Sequence, residues 1–308
     1  MEDKRRKMKT KYITRKRRRR FVSKVFRIVF ATVGIVACFV TFYKIKGQGI
    51  GSLCQILLFE ADEEYDKNSE VVVDNKDFEA NSKEDDLDKQ LQLLAQKDSD
   101  IKTLLDNREE YPDEILSLFV RNNETKQFVL DYPTKKDGKV SIDISGDVEE
   151  NVPLFLQWDE RWGYTMYGEE IMAIDGCGPT CLSMVAVSVL GDTSMNPYWM
   201  AQYSEEKGFI SSNETLWSLM SEGATSLGLD VTEIPLNEQR VADNLDVGNP
   251  IICIMGPGDF TTSGHFIVLT NYEDGMVTVN DPNSIARSEK EWCFEEISSQ
   301  IRNLWVYR

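Results

Sequence analysis

The stretch DGCGPTCLSMVAVSVL, residues 175–190, sets a glycine-flanked cysteine and a proline ahead of an unbroken apolar run. Pro179 suits the first turn of a helix, where its fixed φ is already helical and its missing N–H is not needed. The spacing therefore predicts a helix over 178–190 with Cys177 at its amino end. Unpaired backbone N–H groups and the positive end of the helix dipole stabilise an anion there, which makes Cys177 a candidate nucleophile. A buried, inert cysteine at a helix cap fits this stretch equally well. Cys181, one turn on, falls on the inward side.

Working outward, helical patterns recur over 197–207, 215–227 and 237–245, and apolar strand patterns over 251–255, 266–271, 276–280 and 304–307. Helices first and strands afterwards predict an α+β domain over 150–308, its core starting near Val152. All six tryptophans lie beyond residue 150, where they supply large rigid side chains for one packed core. Cys253 sits in an Ile-Ile-Cys-Ile-Met strand and reads as a small hydrophobe. The six cysteines have no staple spacing, so structural disulfides are not predicted, with a Cys253–Cys293 pairing left open.

Upstream the composition changes. Leu87, Leu91, Leu94, Ile101 and Leu105 recur at helical spacing, and Pro112 opens a second helix carrying Ile115 and Phe119. A third helix is expected from 123 to 131, stopped by Tyr132-Pro133. Together 87–135 form a small helical lead-in. Residues 47–86 read as an acidic linker or stalk, with few large apolar residues from 60 onward.

The net charge of −17 hides two regions: residues 1–27 carry fourteen Lys/Arg against Glu2 and Asp3, a local charge of +12 that leaves −29 elsewhere. A basic run of this density is compatible with nucleic-acid binding. Its position favours another reading, because it runs straight into the uncharged apolar stretch 28–43, closed by Lys44 and Lys46. Sixteen helical residues span about 24 Å against a hydrocarbon core of about 30 Å, a gap that Val25, Phe26 and a snorkelling Arg27 reduce. The prediction is a basic cytoplasmic arm (1–24), a single transmembrane anchor (25–46) and an extracellular C-terminal domain, since positive charge stays inside. No small-x-small cleavage pattern follows the apolar run, which argues against a removed signal peptide. A second apolar patch, 50–59, is too short to span. The partners expected are the membrane and a peptide or protein substrate, with no nucleic acid, metal or cofactor.

The chain has one histidine, His265, at the start of a strand reading Phe266-Ile267-Val268-Leu269. A lone histidine beside an apolar strand is commonly structural, yet a general base needs only one ring nitrogen on sulfur and the other held by an acceptor. Asp281, at the end of the next strand, is the candidate acceptor. Register tests it: a three-residue turn pairs Ile267 with Asp281 and puts His265 and Asp281 on one face, whereas a two-residue turn at Asp274-Gly275 puts them on opposite faces. On composition, Asn280-Asp281-Pro282-Asn283 fits a plain turn equally well. Gln157 is a candidate donor to an oxyanion beside the backbone N–H of Cys177, or simply a polar residue between Trp158 and Trp162.

Four segments in this order, PLFLQWDERW (153–162), GCGPTC (176–181), GHFIVL (264–269) and NDPN (280–283), resemble the papain-like bacteriocin-leader peptidases and, more closely, their stand-alone C39-like relatives in Gram-positive bacteria. The resemblance covers about 150–308. It implies a papain-like cysteine peptidase fold, N-terminal helices followed by an antiparallel sheet, with Cys177, His265 and Asp281 as catalytic triad and Gln157 lining the oxyanion hole. The transporter-fused members carry an exporter; this chain has no P-loop, so processing coupled to export does not follow.

The leading expectation is thus a cysteine-type peptidase at the cell membrane that hydrolyses peptide or isopeptide bonds. Two alternatives compete with it. An NlpC/P60-like cell-wall hydrolase would carry Asp-Cys-Ser-Gly and a second histidine, both lacking here. An inactive surface module that binds peptides would keep the cleft without the chemistry. A metal site built from Cys177, Cys181 and His265 would want a fourth protein ligand.

Overall fold

A computed structural model describes residues 84–308 apart from 139, 141, 149–151 and 212–213. The basic arm, the anchor segment 25–46, the 50–59 patch and nearly all of the stalk lie outside the described residues. Among the described residues no helix is long and apolar enough to cross a membrane.

The chain enters through four helices: α1 (Glu84–Ala95), α2 (Ser99–Asp106), α3 (Asp113–Arg121) and α4 (Lys126–Lys135). The leucine pattern predicted over 87–105 is cut in two, because Asp98 turns extended and caps α2 by accepting the Asp100 N–H. The prediction that Tyr132-Pro133 stops the third helix fails: α4 runs through Pro133 to Lys135. The ring removes the backbone donor that would reach Val129 O, but the last turn still closes, Lys136 N donating to Tyr132 O at 3.0 Å, and the helix is held from outside by the Tyr164 hydroxyl donating to Phe128 O at 2.8 Å and the Tyr111 hydroxyl to Leu130 O at 3.4 Å. Leu91, Leu116, Phe119 and Val129 form a buried core that also takes in Tyr164, Ile171 and Ala173 of the following domain. The lead-in and the domain therefore share apolar packing.

The domain proper opens with the hairpin β1 (Met166–Tyr167) and β2 (Glu170–Ile171), the short helix α5 (Met172–Asp175) and the long helix α6 (Cys177–Leu190). α6 is buried from Gly178 to Val187, which is why its sequence is apolar on every side. Helix α7 (Pro197–Glu206) and a second hairpin, β3 (Ile210–Ser211) with β4 (Glu214–Thr215), follow. The helix predicted over 215–227 is shorter than expected. Thr215 is taken into β4, its hydroxyl bonded to Tyr167 at 2.9 Å, and helical structure begins with a π-helical turn at Leu219–Gly223 that continues into α8 (Ala224–Ser226).

Next come β5 (Val231–Glu233), α9 (Glu238–Asp246), β6 (Ile251–Met255), β7 (His265–Glu273), β8 (Met276–Asn280), α10 (Ile285–Glu289), β9 (Glu291–Cys293), α11 (Phe294–Ser298) and β10 (Ile301–Tyr307). Strands β5 to β10 form one six-stranded sheet in the order β5-β10-β6-β7-β8-β9, with every pair antiparallel. The sheet is covered on both faces. Ile252, Ile254, Phe266, Val268 and Trp305 pack with the α6 side chains Met184 and Val187, while Ile251, Cys253, Ile267, Leu269 and Val279 pack with Val241 and Leu245 of α9. This is why β6 reads as a continuous apolar run instead of an alternating one. The architecture is α+β. Strands β5 and β9 escaped the sequence reading because each has only three residues. Cys177, Cys181, Cys253 and Cys293 are all free thiols, so the open Cys253–Cys293 pairing is not formed.

Candidate active site

Cys177 is the first residue of α6, with Gly176 as cap residue and Thr180 N donating back to Gly176 O at 3.1 Å. Pro179 lies within that first turn. Gly178 is fixed by close approach: a Cβ there would sit 2.5 Å from Thr215 Cγ2, so the β3–β4 hairpin can lie against the cysteine turn only if residue 178 has no side chain. Cys177 is half-buried and packs against the main core, whereas Cys181 is wholly buried. Burial pushes the Cys181 thiol well above its ordinary pKa, so it stays a protonated, apolar group.

Register brings the other two candidates together by a route the sequence reading did not contain. The β7–β8 turn has two residues, Asp274 and Gly275, both at positive φ (54° and 85°), and pairs Glu273 with Met276. That turn alone would separate His265 from Asp281. A β-bulge at Thr270 shifts the ladder by one residue, from Asn271↔Thr278 to Leu269↔Val279 and Val268↔Asn280. Continued one step, this register sets Asp281 opposite Ile267, the pairing the three-residue turn was expected to give. His265 Nε2 and Asp281 Oδ1 are then 2.7 Å apart, both buried.

Asp281 is fully buried and densely held. Oδ1 also accepts the Asn283 N–H at 2.8 Å, and Oδ2 lies 2.8 Å from Arg287 Nε, an ion pair whose N–H is not aligned as a hydrogen bond. Burial alone would raise the carboxyl's pKa; His265, Arg287 and the Asn283 N–H outweigh it and leave Asp281 below the usual carboxylate range. For His265 burial alone would favour the neutral ring, but the Asp281 carboxylate and a further interaction with the Cys177 side chain raise its pKa to about 9. With Nε2 committed to Asp281, Nδ1 is the ring nitrogen left to face sulfur.

Gln157 stands elsewhere. Its side-chain amide donates to Ala173 O at 2.8 Å and Ile174 O at 3.0 Å, so both N–H bonds are spent on the turn leading to Cys177. Its own backbone N–H donates to Pro282 O at 2.7 Å, next to Asp281. Gln157 thus ties the cysteine side to the aspartate side, and the structure gives it no free donor for an oxyanion. The residue that sequence reading missed is Arg287, six positions beyond Asp281 on α10; an arginine on a five-residue polar helix carries no signal of its own. Asp175 lies two residues before Cys177. It is half-buried and raised to about 6 by burial and then by Glu170 and Glu214. Among the described residues there is no cluster of three or more metal-ligating side chains.

The family match falls on this part of the chain. Residues 149–308 match the model of the Peptidase_C39 like family. Seven solved chains match, two of them as follows. The peptidase domain of Streptococcus ComA, a bi-functional ABC transporter involved in a quorum sensing pathway, is 22% identical with a TM-score of 0.35, over 43% of this chain and 89% of that one. A putative C39-like peptidase from Bacillus anthracis is 15% identical with a TM-score of 0.37, over 51% of this chain and 94% of that one. No curated protein matches the sequence.

Proposed function

This chain belongs to the Peptidase_C39 like family through residues 149–308, and from that premise we propose that it is a cysteine peptidase, tethered to the cell membrane by residues 25–46 and facing outward, that uses Cys177, His265 and Asp281. The observation that carries the reading is the 2.7 Å contact between His265 Nε2 and a buried carboxylate, on an imidazole that also interacts with Cys177, half-buried at the amino end of α6.

The steps follow from these positions. The Cys177 thiolate adds to the carbonyl carbon of a peptide or isopeptide bond, and the backbone N–H of Cys177, which as the first helical residue has no intrahelical acceptor, points at the developing oxyanion. The His265 imidazolium gives its Nδ1 proton to the departing amine, leaving an acyl-cysteine. Neutral His265 then takes a proton from water, whose oxygen attacks the thioester and releases the acid. Asp281 holds the ring in orientation and stabilises its charged form. Gln157 braces the two halves of the site instead of donating to the substrate.

The test is proteolysis of a complex peptide mixture by the full chain, wild type against Cys177→Ala, with new termini read by mass spectrometry. Products should form only with the wild type, the variant losing roughly 10⁴-fold or more. Equal product formation by both proteins sinks the mechanism.

A further inference from the structure

The helical lead-in lies outside the family-matched residues, yet two side chains from the joint between α3 and α4 reach the segment that carries the site aspartate. Glu124, between α3 and α4, accepts the Ser284 hydroxyl at 2.5 Å and the Ile285 N–H at 2.6 Å, with a longer contact from the Ala286 N–H at 3.4 Å. Asn122, nearly buried, donates its amide to Asn283 O at 2.5 Å while its own oxygen caps the turn at Glu124.

What these contacts grip is the frame of Asp281. Ser284 N donates to Asp281 O at 3.2 Å, and Ser284 Oγ caps α10 by accepting the Arg287 N–H at 3.1 Å. The Ser288 hydroxyl donates to Ser284 O at 2.7 Å and accepts the Asp281 N–H at 2.9 Å. The same short helix brings the Arg287 guanidinium to Asp281 Oδ2 and anchors it by donation to Phe260 O at 3.0 Å. An unbroken set of contacts therefore runs from Glu124 through Ser284 to Asp281 and on to His265.

We propose that Glu124 is a positioning residue for Asp281, so that the helical lead-in completes the active site of the C39-like domain instead of merely spacing it from the membrane. Site groups are useful only when neighbouring contacts hold them within a fraction of an ångström, and a buried loop supported from one side by a separate helical layer depends on that layer. The inference rests on the assignment of His265 and Asp281 to catalysis, but the contact itself can be read without turnover.

The single histidine makes that reading direct. In the full chain labelled at histidine, NMR titration follows one imidazole, faced by Asp281 and Cys177, with Arg287 beyond the carboxylate. Glu124→Ala should move the midpoint down toward the ordinary value of about 6.5 and lower kcat about tenfold or more while KM changes less than about twofold. Glu124→Gln, which keeps an acceptor but not the charge, should fall between. Lys126→Ala, which breaks surface pairs with Asp98 and Asp100 in the same lead-in, should leave both readouts at wild-type values. If Glu124→Ala fails to fold, Ser284→Ala cuts the same link from the other side and should lower the midpoint likewise. Titration of the Glu124 variants at the wild-type midpoint, or an equal shift in Lys126→Ala, overturns the proposal. A wild type without turnover, whose midpoint still falls in Glu124→Ala, leaves the positioning contact standing and removes the peptidase reading instead.

Discussion

The two halves of the site are built in opposite ways. The cysteine half is largely local: Gly176, Gly178, Pro179 and the apolar residues after them make the helix that presents Cys177, with Thr215 and Gln157 reaching in from elsewhere. The aspartate half is assembled at long range. Asp281 depends on a bulge at Thr270, on Arg287 and Ser288 of α10, and on Asn122 and Glu124 some 160 residues earlier in the chain. A local device stands or falls with its few residues, whereas one assembled from many separate supports loses function stepwise as each is withdrawn. Changes on the aspartate side should therefore tune the site by degrees, and changes on the cysteine side should be all or nothing.

The sharpest break is on the shared member. His265→Ala removes the proposed base of the first half and the partner of the second, and should lower kcat/KM by about 10⁴-fold or more while the fold survives, as circular dichroism would report. Retained turnover would mean that neither half works as described.

Asp281→Asn separates the halves. It leaves the cysteine helix intact but should cost roughly 10²- to 10⁴-fold in kcat. It also strands the Arg287 guanidinium, three-quarters buried, at about 3 kcal/mol of stability. Pairing it with Arg287→Gln should recover part of the stability and little of the activity; equal recovery of both would show that Asp281 acts only on the fold.

The pH dependence tests the same coupling more gently. A histidine raised from 6.5 to about 9 on folding contributes stability that is fully present below about 6.5 and is lost as pH rises through about 9. Thermal stability should therefore fall between those values, and kcat/KM should decline on an alkaline limb near 9. Asp281, lowered on folding, adds stability present above the ordinary carboxylate value of 3.8 and lost as pH falls through its depressed one. In Asp281→Asn the alkaline limb should move to lower pH; an unmoved limb would assign it to another group.

The smallest effect is expected on deleting Thr270, with an insertion at the same place as its counterpart. Deleting the bulged residue joins Leu269 to Asn271 in a regular ladder and keeps Val268 opposite Asn280, so the deletion should retain activity. Adding a second residue beside Thr270 shifts the site end of β7 by one position and should abolish it. Opposite results would show that the bulge does more than set register.

Much of the fold was legible from periodicity. The strand at 251–255 and the helix behind Cys177 appear where the pattern put them, because a segment buried on all sides must be apolar throughout, and the strand at 276–280 appears through its alternation of half-buried and buried residues. The lead-in was legible as helices but not in its joints. Asp98 breaks the leucine pattern by a cap only two residues long, which the helical spacing hides, whereas the helix around Pro133 is held by Tyr164 and Tyr111, well outside any local window. Thr215 went to a hairpin because the Tyr167 hydroxyl meets it there.

The sequence by itself determined the α+β order, the cysteine at a helix head and the presence of a single imidazole, since each depends on composition, capping and spacing along the chain. Only the tertiary structure decided that His265 faces Asp281, that Arg287 and Glu124 stand behind that aspartate, and that the Gln157 amide is spent on two carbonyls. The physical reason is that a one-residue bulge reverses which face a strand residue presents, and hydrogen bonds between segments more than a hundred residues apart leave no period or motif in the sequence.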